Sequence, residues 1–259
     1  MSSIWRKLFS KQYEFENKGY CPICKREVMF YAIGSWFRDQ YFCPNCHSIP
    51  RERALMYILD TEYPNWRELV IHESSPGNRG VSVILANECK NYIPSQYFPN
   101  EKLGELFNGV RCENLEKLTF LDESIDLHIS QDVFEHIFLP DLAFKEIYRT
   151  LRPGGAHIFT VPLVNKTKPS KFRAKIEETG QTLYLEQAIF HGNPIDAKGS
   201  LVTIDWGFDI CNFIYNSSGL FTRIIQIDDI SKGIRAEYIE VLVTYKPYTE
   251  SELFKSLSM

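Results

Sequence analysis

The chain has 259 residues, of which 44% are hydrophobic and 24% charged, enough for one large α/β domain or a domain with a small appendage. A formal net charge of −4 and a pI near 5.9 give the molecule as a whole no electrostatic attraction for nucleic acid. No uncharged apolar run approaches membrane-spanning length and residues 1–16 lack the apolar core of a signal peptide, so we expect a cytoplasmic protein with no membrane partner.

Residues 1–49 are predicted to form an N-terminal arm and a zinc ribbon. Residues 1–20 mix aromatic and basic side chains and predict a solvated arm. Two Cys-x-x-Cys pairs follow, and four thiolates on two tight turns can complete a closed tetrahedral shell around structural zinc. The predicted ligands are Cys21, Cys24, Cys43 and Cys46. Iron in the same geometry, a redox dithiol and four unligated cysteines are the alternatives.

Residues 50–67 are predicted to link the ribbon to the main domain. Ser48 and Pro50 are typical of a helix start, and an apolar face follows them. Arg51 and Arg53 lie in the first turn of this helix. The pattern favours solvated or salt-bridged arginines, with contact to an anionic substrate as the alternative.

Three short apolar segments predict the first strands of a parallel sheet. Leu69–Glu73 is followed by the turn Ser74–Gly80 and a helix over 81–86. Asn91–Tyr97 and Gly109–Glu113 are the second and third strands. Strands that alternate with helices are typical of βαβ units.

The stretch Leu118–Gly155 carries the most specific pattern. Ile125–Ser130 alternates apolar with polar residues and predicts a strand. Asp141 is predicted to cap the helix that follows, and Pro153-Gly154-Gly155 is predicted to stop it. A further strand over 156–161 would complete a right-handed crossover between parallel strands.

Three pieces of this stretch resemble the second half of class I S-adenosylmethionine-dependent methyltransferases, of the methyltransferase type 11 kind. They are Ile125-Asp126-Leu127, Phe134-Glu135-His136 and Arg149–Gly155, in matching order and spacing. The resemblance covers about residues 68–246. It implies an α/β fold in which residues 68–259 form a Rossmann-like seven-stranded methyltransferase sheet that binds S-adenosylmethionine.

The resemblance also implies a cofactor site at the carboxyl ends of the first strands. The residues that it places there are Glu73, Ser75, Gly77, Gln96, Asn114, Leu115 and Gln131. Ser75 stands where the family usually has glycine, and Gln96 where it has an acid that accepts the ribose hydroxyls. Because glutamine offers one uncharged acceptor, we expect weaker cofactor binding. Glu101 and Glu105 are nearby candidates to compensate.

Residues at about 164–204 leave the common core and predict a substrate-binding insertion. A run of basic residues over 166–175 predicts a solvated face, with an anion site as the alternative. His191 lies beyond this run, next to Gly192-Asn193-Pro194. We predict that His191 orients the acceptor or takes its proton, with Asp132 as a second candidate base. A histidine that only holds its loop is the alternative.

The last part of the chain predicts a helix over 208–215 closed by Gly219. Strands over 221–227 and 236–245 would be the antiparallel sixth and seventh strands, the last inserted between the fifth and sixth. The resemblance and these patterns together predict a methyltransferase that acts on an oxygen or nitrogen of a small-molecule or glycan acceptor. An RNA methyltransferase with an RNA-contacting ribbon and a non-catalytic binding or scaffold protein are the rival hypotheses.

Overall fold

The computed structural model describes residues 13–193 and 195–248. Most of the predicted N-terminal arm, and Pro194 of the insertion, therefore lie outside the described residues. Within the described ranges no helix combines the length and apolar character needed to cross a membrane.

The ribbon is a three-stranded antiparallel sheet. It consists of β1 (Phe15–Cys21), β2 (Arg26–Ala32), the short helix α1 (Phe37–Gln40) and β3 (Tyr41–Phe42). Strand β1 begins inside the segment predicted as a solvated arm. That prediction is wrong from Phe15 onward, because every residue of β1 pairs with β2.

The central sheet begins after helix α2 (Pro50–Glu62) and a 3-10 turn (Trp66–Glu68). Its next elements are β4 (Val70–Ser74), α3 (Gly80–Glu88), β5 (Asn91–Gln96), β6 (Leu106–Phe107), β7 (Val110–Cys112), β8 (Ile125–Gln131), α4 (Pro140–Thr150) and β9 (Leu151–Thr160). Helix α2 starts as predicted, with proline in its first turn and the Ile49 N–H donating to Glu52 Oε2 at 3.1 Å.

Two details around α4 differ from the sequence prediction. Pro140 opens the helix, so Asp141 lies in its first turn instead of at its cap. Pro153-Gly154-Gly155 belongs to the irregular start of β9. The Gly154 N–H donates to the carbonyl of Lys246 at 2.9 Å, and the Lys246 N–H donates to Gly155 at 3.0 Å. The backbone of the glycine pair is therefore held in the sheet by the end of the chain, a long-range contact that no local pattern announces.

The insertion folds into three small antiparallel pairs. Its strands are β10 (Lys171–Phe172), β11 (Ala174–Ile176), β12 (Thr182–Tyr184), β13 (Phe190–His191), β14 (Ser200–Leu201) and β15 (Ile204–Asp205). Strand β10 pairs with β15, β11 with β12, and β13 with β14. These pairs stand at the end of β9.

Helix α5 (Ile210–Ser218), β16 (Phe221–Ile225), a second 3-10 turn (Ile230–Lys232) and β17 (Val241–Tyr245) complete the described chain. Gly219 ends α5 in the left-handed conformation, with φ 77°, as predicted. The sheet order is β16-β17-β9-β8-β4-β5-β7-β6. The last strand lies between the fifth and sixth, which confirms the expected methyltransferase topology, while β6 is an unpredicted edge hairpin with β7.

Only one of the two last strands is antiparallel to the body of the sheet. Strand β17 pairs antiparallel with both β9 and β16, so β16 runs in the same direction as β9. The prediction of two antiparallel strands is correct for β17 and wrong for β16.

The ribbon shares its core with the sheet. One buried apolar cluster contains Phe30 and Tyr41 of the ribbon, Leu55 and Leu59 of α2, and Ile158 and Val243 of the sheet. The fully buried Arg53 donates to the carbonyl oxygens of Tyr41 (3.1 Å) and Gly233 (2.7 Å). The ribbon is therefore packed into the main domain instead of hanging from it.

Strand β1 also contacts the 3-10 turn that precedes β17. Asn17 Nδ2 donates to the Ile230 carbonyl at 2.8 Å. At Gly19 an added Cβ would lie 2.3 Å from the Ser231 carbonyl oxygen, so only glycine permits this approach.

A chain of buried hydrogen bonds crosses the sheet through two histidines. Ser95 Oγ lies 2.7 Å from His72 Nε2, the two Nδ1 atoms of His72 and His128 are 2.8 Å apart, and His128 Nε2 lies 2.8 Å from Thr150 Oγ1. One assignment satisfies every contact. The Ser95 hydroxyl donates to His72, His72 donates to His128, and His128 donates to Thr150, whose hydroxyl donates to the Glu146 carbonyl. Both imidazoles are neutral in this arrangement.

A third buried histidine, His157, continues the row on β9. Its Nε2 lies 3.0 Å from Ser130 Oγ, and its ring stacks on Phe159 with centroids 4.2 Å apart. Burial lowers the pKa of His72 and of His157 to about 3, and that of His128 well below its usual value. The row therefore favours a native state in which all three rings are uncharged.

Candidate active site

A cavity of ≈ 1230 Å³ opens at the carboxyl ends of the parallel strands. Its walls come from the segments that follow β4, β5, β7, β8 and β9, from the insertion, and from the ribbon. Ligands of open α/β sheets bind at this edge. The cavity is therefore the candidate site.

Five of the seven predicted cofactor residues line this cavity. They are Ser75, Gln96, Asn114, Leu115 and Gln131. Asn114 Oδ1 already accepts from the Glu116 N–H at 2.9 Å, which leaves its NH₂ group to donate to a ligand. Sequence positions from four different strand ends thus converge where the resemblance implied a nucleoside pocket.

The other two, Glu73 and Gly77, lie behind the cavity wall. Glu73 is 1% exposed, and its carboxylate accepts from Ser82 Oγ (2.7 Å) and Tyr92 Oη (2.6 Å). Burial raises its pKa. The Gly77 N–H donates to the same Ser82 hydroxyl at 2.9 Å, and an added Cβ would meet no atom closer than 3.7 Å. Both residues take part in the hydrogen bonds that hold this loop, and their contact with the cofactor stays a prediction.

Ser75 holds the left-handed conformation that the family's glycine would adopt. Its φ is 55°, and its N–H donates to the Ser95 carbonyl at 2.8 Å. A non-glycine residue pays a conformational cost there. The loop therefore keeps the backbone shape of a glycine loop while carrying a hydroxymethyl group into the cavity.

Gln96 stands where the resemblance implies an acid, and Glu113 is the acidic residue that could serve in its place. It lines the cavity beside Asn114 and is 3% exposed, whereas Glu101 and Glu105 do not line it. Arg111 Nε donates to Glu113 at 2.7 Å, and the Thr119 N–H donates at 2.9 Å. Sequence reasoning missed it because it reads as the last residue of a strand, with nothing to show that it turns toward the ligand edge.

Asp132 follows Gln131 in the cavity lining and lies between two arginines. Arg38 Nη2 and Arg51 Nε approach the same oxygen, Oδ2, at 2.8 and 3.0 Å, and the Thr160 hydroxyl donates to Oδ1 at 3.0 Å. Burial opposes ionisation, but the two guanidiniums hold the pKa of Asp132 below its usual value. A carboxylate held in this way is a weak proton acceptor. Its predicted role as a base stays a prediction, and the geometry favours positioning.

The ribbon forms part of the cavity wall, which the sequence did not indicate. Trp36, Arg38 and Asp39 line the cavity, and Arg51 of α2 bridges Asp39 (2.8 Å) and Asp132. Of the two arginines weighed for substrate contact, Arg51 is salt-bridged inside the cavity and Arg53 is buried beneath the ribbon. The ribbon is thus a structural component of the site.

His191 also lines the cavity, and it lies next to His136 and Glu135. Its Nδ1 lies 3.7 Å from Glu135 Oε1, and His136 Nε2 lies 3.7 Å from the same oxygen. Contact with the Glu135 carboxylate raises the pKa of His191. The structure therefore places His191 where the acceptor was expected, although its chemical role stays a prediction.

The basic run of the insertion is largely paired with carboxylates. Lys171 lies 2.5 Å from Glu186, and Arg173 lies 2.7 Å from Asp205. This pairing favours a salt-bridged surface over an anion site. Contact with nucleic acid stays a prediction of the rival hypothesis.

The four predicted metal ligands come together. Cys21 Sγ lies 3.7 Å from Cys46 Sγ, Cys24 Sγ lies 3.7 Å from Cys43 Sγ, and all four sulfur atoms are within 4.8 Å of one another. A tetrahedral shell with Zn–S bonds of about 2.3 Å has sulfur atoms roughly 3.8 Å apart. The cluster therefore fits a four-thiolate zinc shell.

Comparisons with known proteins agree with this architecture. Residues 82–159 match the model of a family described as a methyltransferase domain. Similar solved structures include an S-adenosylmethionine-dependent methyltransferase from Mesorhizobium loti, at 18% identity and TM-score 0.46, covering 74% of this chain and 96% of that one. Another is a Burkholderia thailandensis 1,6-didemethyltoxoflavin-N1-methyltransferase with bound S-adenosylhomocysteine, at 11% identity and TM-score 0.43, covering 76% and 79%. A search of curated proteins finds no match. The matched segment runs from α3 to β9 within the sheet order described above, and this part of the chain is therefore similar to a methyltransferase domain.

Proposed function

We propose that this protein transfers a methyl group from S-adenosylmethionine to an oxygen or nitrogen atom of a small-molecule or glycan acceptor. The observation that carries the proposal is the convergence of Ser75, Gln96, Asn114, Leu115 and Gln131 on one cavity. Their amides, hydroxyl and apolar surface suit a ribose and an adenine ring. S-adenosylmethionine would supply an activated methyl group on a sulfonium centre.

The part of the cavity that is lined by the ribbon and the insertion suits an acceptor. Pockets for a single ligand usually measure roughly 300–1,000 Å³, and this cavity of ≈ 1230 Å³ has room for a second molecule. Aromatic surface from Trp36, Phe138 and Tyr238 lines it together with polar groups. Methyl transfer depends mainly on in-line positioning of a nucleophile, which a cavity with room for both molecules favours.

His191 is the proposed orienting group or proton acceptor. Contact with Glu135 raises the pKa of His191 above its ordinary value and so makes the ring a stronger base. Its side chain is 44% exposed and borders the cavity, so a bound acceptor could reach it. Asp132, held by Arg38 and Arg51, would keep the ribbon side of the cavity wall in place.

Titration calorimetry with S-adenosylmethionine tests the cofactor site directly. We expect the wild type to bind, and Asn114→Ala to bind up to about 10-fold more weakly through loss of one hydrogen bond. Asn216→Ala, an exposed change on α5, is the matched control and should bind like the wild type. Absence of binding by the wild type would refute the proposal.

The acceptor is best sought by mass spectrometry of ligands that co-purify with the protein. With the acceptor in hand, His191→Ala should lower turnover by about 10² to 10⁴ while cofactor affinity and thermal stability stay near wild type. A histidine that only ties its loop would instead lower stability and binding together.

We also propose that the four cysteines hold one structural zinc ion. Ser48 Oγ lies 3.2 Å from Cys46 Sγ and can donate to the thiolate as an outer-shell partner. Elemental analysis of freshly purified protein should give one zinc per chain, and Cys21→Ser combined with Cys43→Ser should remove it. All seven cysteines are in the described part of the chain, and none of them is in a disulfide.

A further inference from the structure

A buried carboxylate without a hydrogen-bond donor lies against His136 and His191, which line the part of the cavity proposed for the acceptor. Glu135 is 1% exposed, and neither of its oxygen atoms has a hydrogen-bond partner among residues 13–193 and 195–248. A buried ionised carboxylate is normally paired, hydrogen-bonded or bound to a metal. Its environment is therefore incomplete as it stands.

Two imidazoles point nitrogen atoms at this carboxylate without bonding to it. His136 Nε2 and His191 Nδ1 each lie 3.7 Å from Glu135 Oε1, beyond hydrogen-bond distance. The three donor atoms are all within 4.8 Å of one another. A point equidistant from three such atoms lies at most about 2.4 Å from each, close to the 2.0–2.2 Å of zinc–nitrogen and zinc–oxygen bonds.

The tautomer of His136 is already set for metal binding. Its Nδ1 lies 2.8 Å from the Leu201 carbonyl oxygen, to which it donates. The lone pair of the neutral ring is then on Nε2, facing the carboxylate, where two electron-rich atoms repel unless a cation lies between them. Metal-bound histidines are commonly oriented by a backbone carbonyl in this way.

We propose that Glu135, His136 and His191 bind a divalent transition-metal ion at the acceptor end of the cavity. Two imidazoles and one carboxylate form a ligand set that suits zinc, iron(II) or cobalt(II) better than magnesium or calcium. His191, on the partly exposed strand β13, would move a few tenths of an ångström to complete the shell. The remaining coordination positions face the cavity, which lets the ion hold a hydroxyl, amine or carboxylate of the acceptor. His191 would then orient the acceptor through the ion.

The site differs in kind from the four-cysteine cluster. The cysteines close a shell on all sides, whereas these three residues leave positions open, as catalytic metal sites do. Catalytic use of the ion rests on the proposed methyl transfer, whereas binding of the ion does not. A protein that binds metal through this triad but transfers no methyl group would support the site and refute the activity.

Cobalt(II) binding to protein whose ribbon already contains zinc tests the proposal. We expect calorimetry to give one cobalt site per chain, and elemental analysis to find one cobalt in addition to an unchanged single zinc. Glu135→Gln keeps the shape of the side chain but removes its charge, and should weaken cobalt binding by more than about 100-fold, above the usual cost of losing an outer-shell partner. Affinity should also fall as the pH drops, because protons compete for the two histidines.

His191→Gln provides a second test if Glu135→Gln does not fold, because position 191 is exposed on the insertion. It should cause a comparable loss of cobalt affinity. Asp196→Asn, which also lines the cavity but lies outside the triad, is the matched control and should bind cobalt like the wild type. The proposal would be overturned if zinc-loaded protein bound no cobalt, or if the wild type and Glu135→Gln bound cobalt with equal affinity.

Discussion

Acidification should destabilise this protein steeply, and the buried histidine row gives the size of the effect. His72, His128 and His157 are neutral in the native state, with pKa values held far below the ordinary 6.5 by burial. In the unfolded chain each takes up a proton as the pH falls through 6.5. The unfolded state then binds more protons than the native state, so stability is full above pH 6.5 and is lost as the pH falls toward 3.

The magnitude follows from linkage. Well below pH 6.5 each histidine costs about 1.4 kcal/mol of unfolding free energy per pH unit, so the loss between pH 7 and pH 5 is about 2 kcal/mol per ring. Three rings together lose about 6 kcal/mol. That is comparable with the 5–15 kcal/mol total stability of a typical domain.

The assay is urea unfolding followed by tryptophan fluorescence, at a series of pH values from 7.5 to 5. Protons would also displace the zinc ion proposed for the cysteine cluster, so the informative quantity is the difference between the wild type and His157→Phe, both of which keep that cluster. Phenylalanine fits a ring that stacks on Phe159, and it removes about one third of the histidine slope. His191→Gln is the control, because the pKa of His191 is raised and its loss cannot flatten the curve. Parallel curves for the wild type and His157→Phe down to pH 5 would refute the reasoning.

Three further substitutions test the loop, the second strand and the ribbon contact. Ser75→Gly should relieve a left-handed conformation that costs about 1–2 kcal/mol, against an entropic loss of about 0.4–1 kcal/mol, so urea unfolding should show stability unchanged or slightly raised. Gln96→Glu restores two charged acceptors and should tighten S-adenosylmethionine binding by about 10-fold in calorimetry, whereas equal affinities would place the ribose elsewhere. Arg53→Met leaves buried carbonyl oxygens without a donor and should lower the unfolding free energy by about 3–5 kcal/mol, with Arg53→Lys recovering only part of it.

The sequence predicted the elements whose patterns are local. The alternation in β8, the apolar stripe of α4 and the glycine after α5 were each sufficient to place an element within a few residues. The order of the sheet came from the resemblance alone, because a periodic pattern does not say which strand is the neighbour of which. The paired cysteines were equally clear, since two tight turns fix their spacing.

What the sequence could not supply are contacts between distant segments. Arg38 meets Asp132 across 94 residues, and nothing in the ribbon pattern shows that it would line a cavity. Glu135 was recognised as part of a turn motif, yet its unpaired carboxylate becomes visible only once the insertion brings His191 beside it. Glu73 and Gly77 fit the family motif, but a motif does not distinguish a residue that touches the ligand from one that supports the loop behind it.

The contact between β1 and the turn before β17 has a consequence for the order in which the chain folds. A ribosome releases the ribbon first, and its cysteines can take up metal while most of the protein is still unmade. The face that carries Asn17 and Gly19 nevertheless stays uncovered until Ile230 and Ser231 emerge, more than 200 residues later. This face of the ribbon can therefore be covered only late in synthesis, and a nascent chain that stalls before residue 230 would expose an incompletely packed module to the quality-control machinery of the cell.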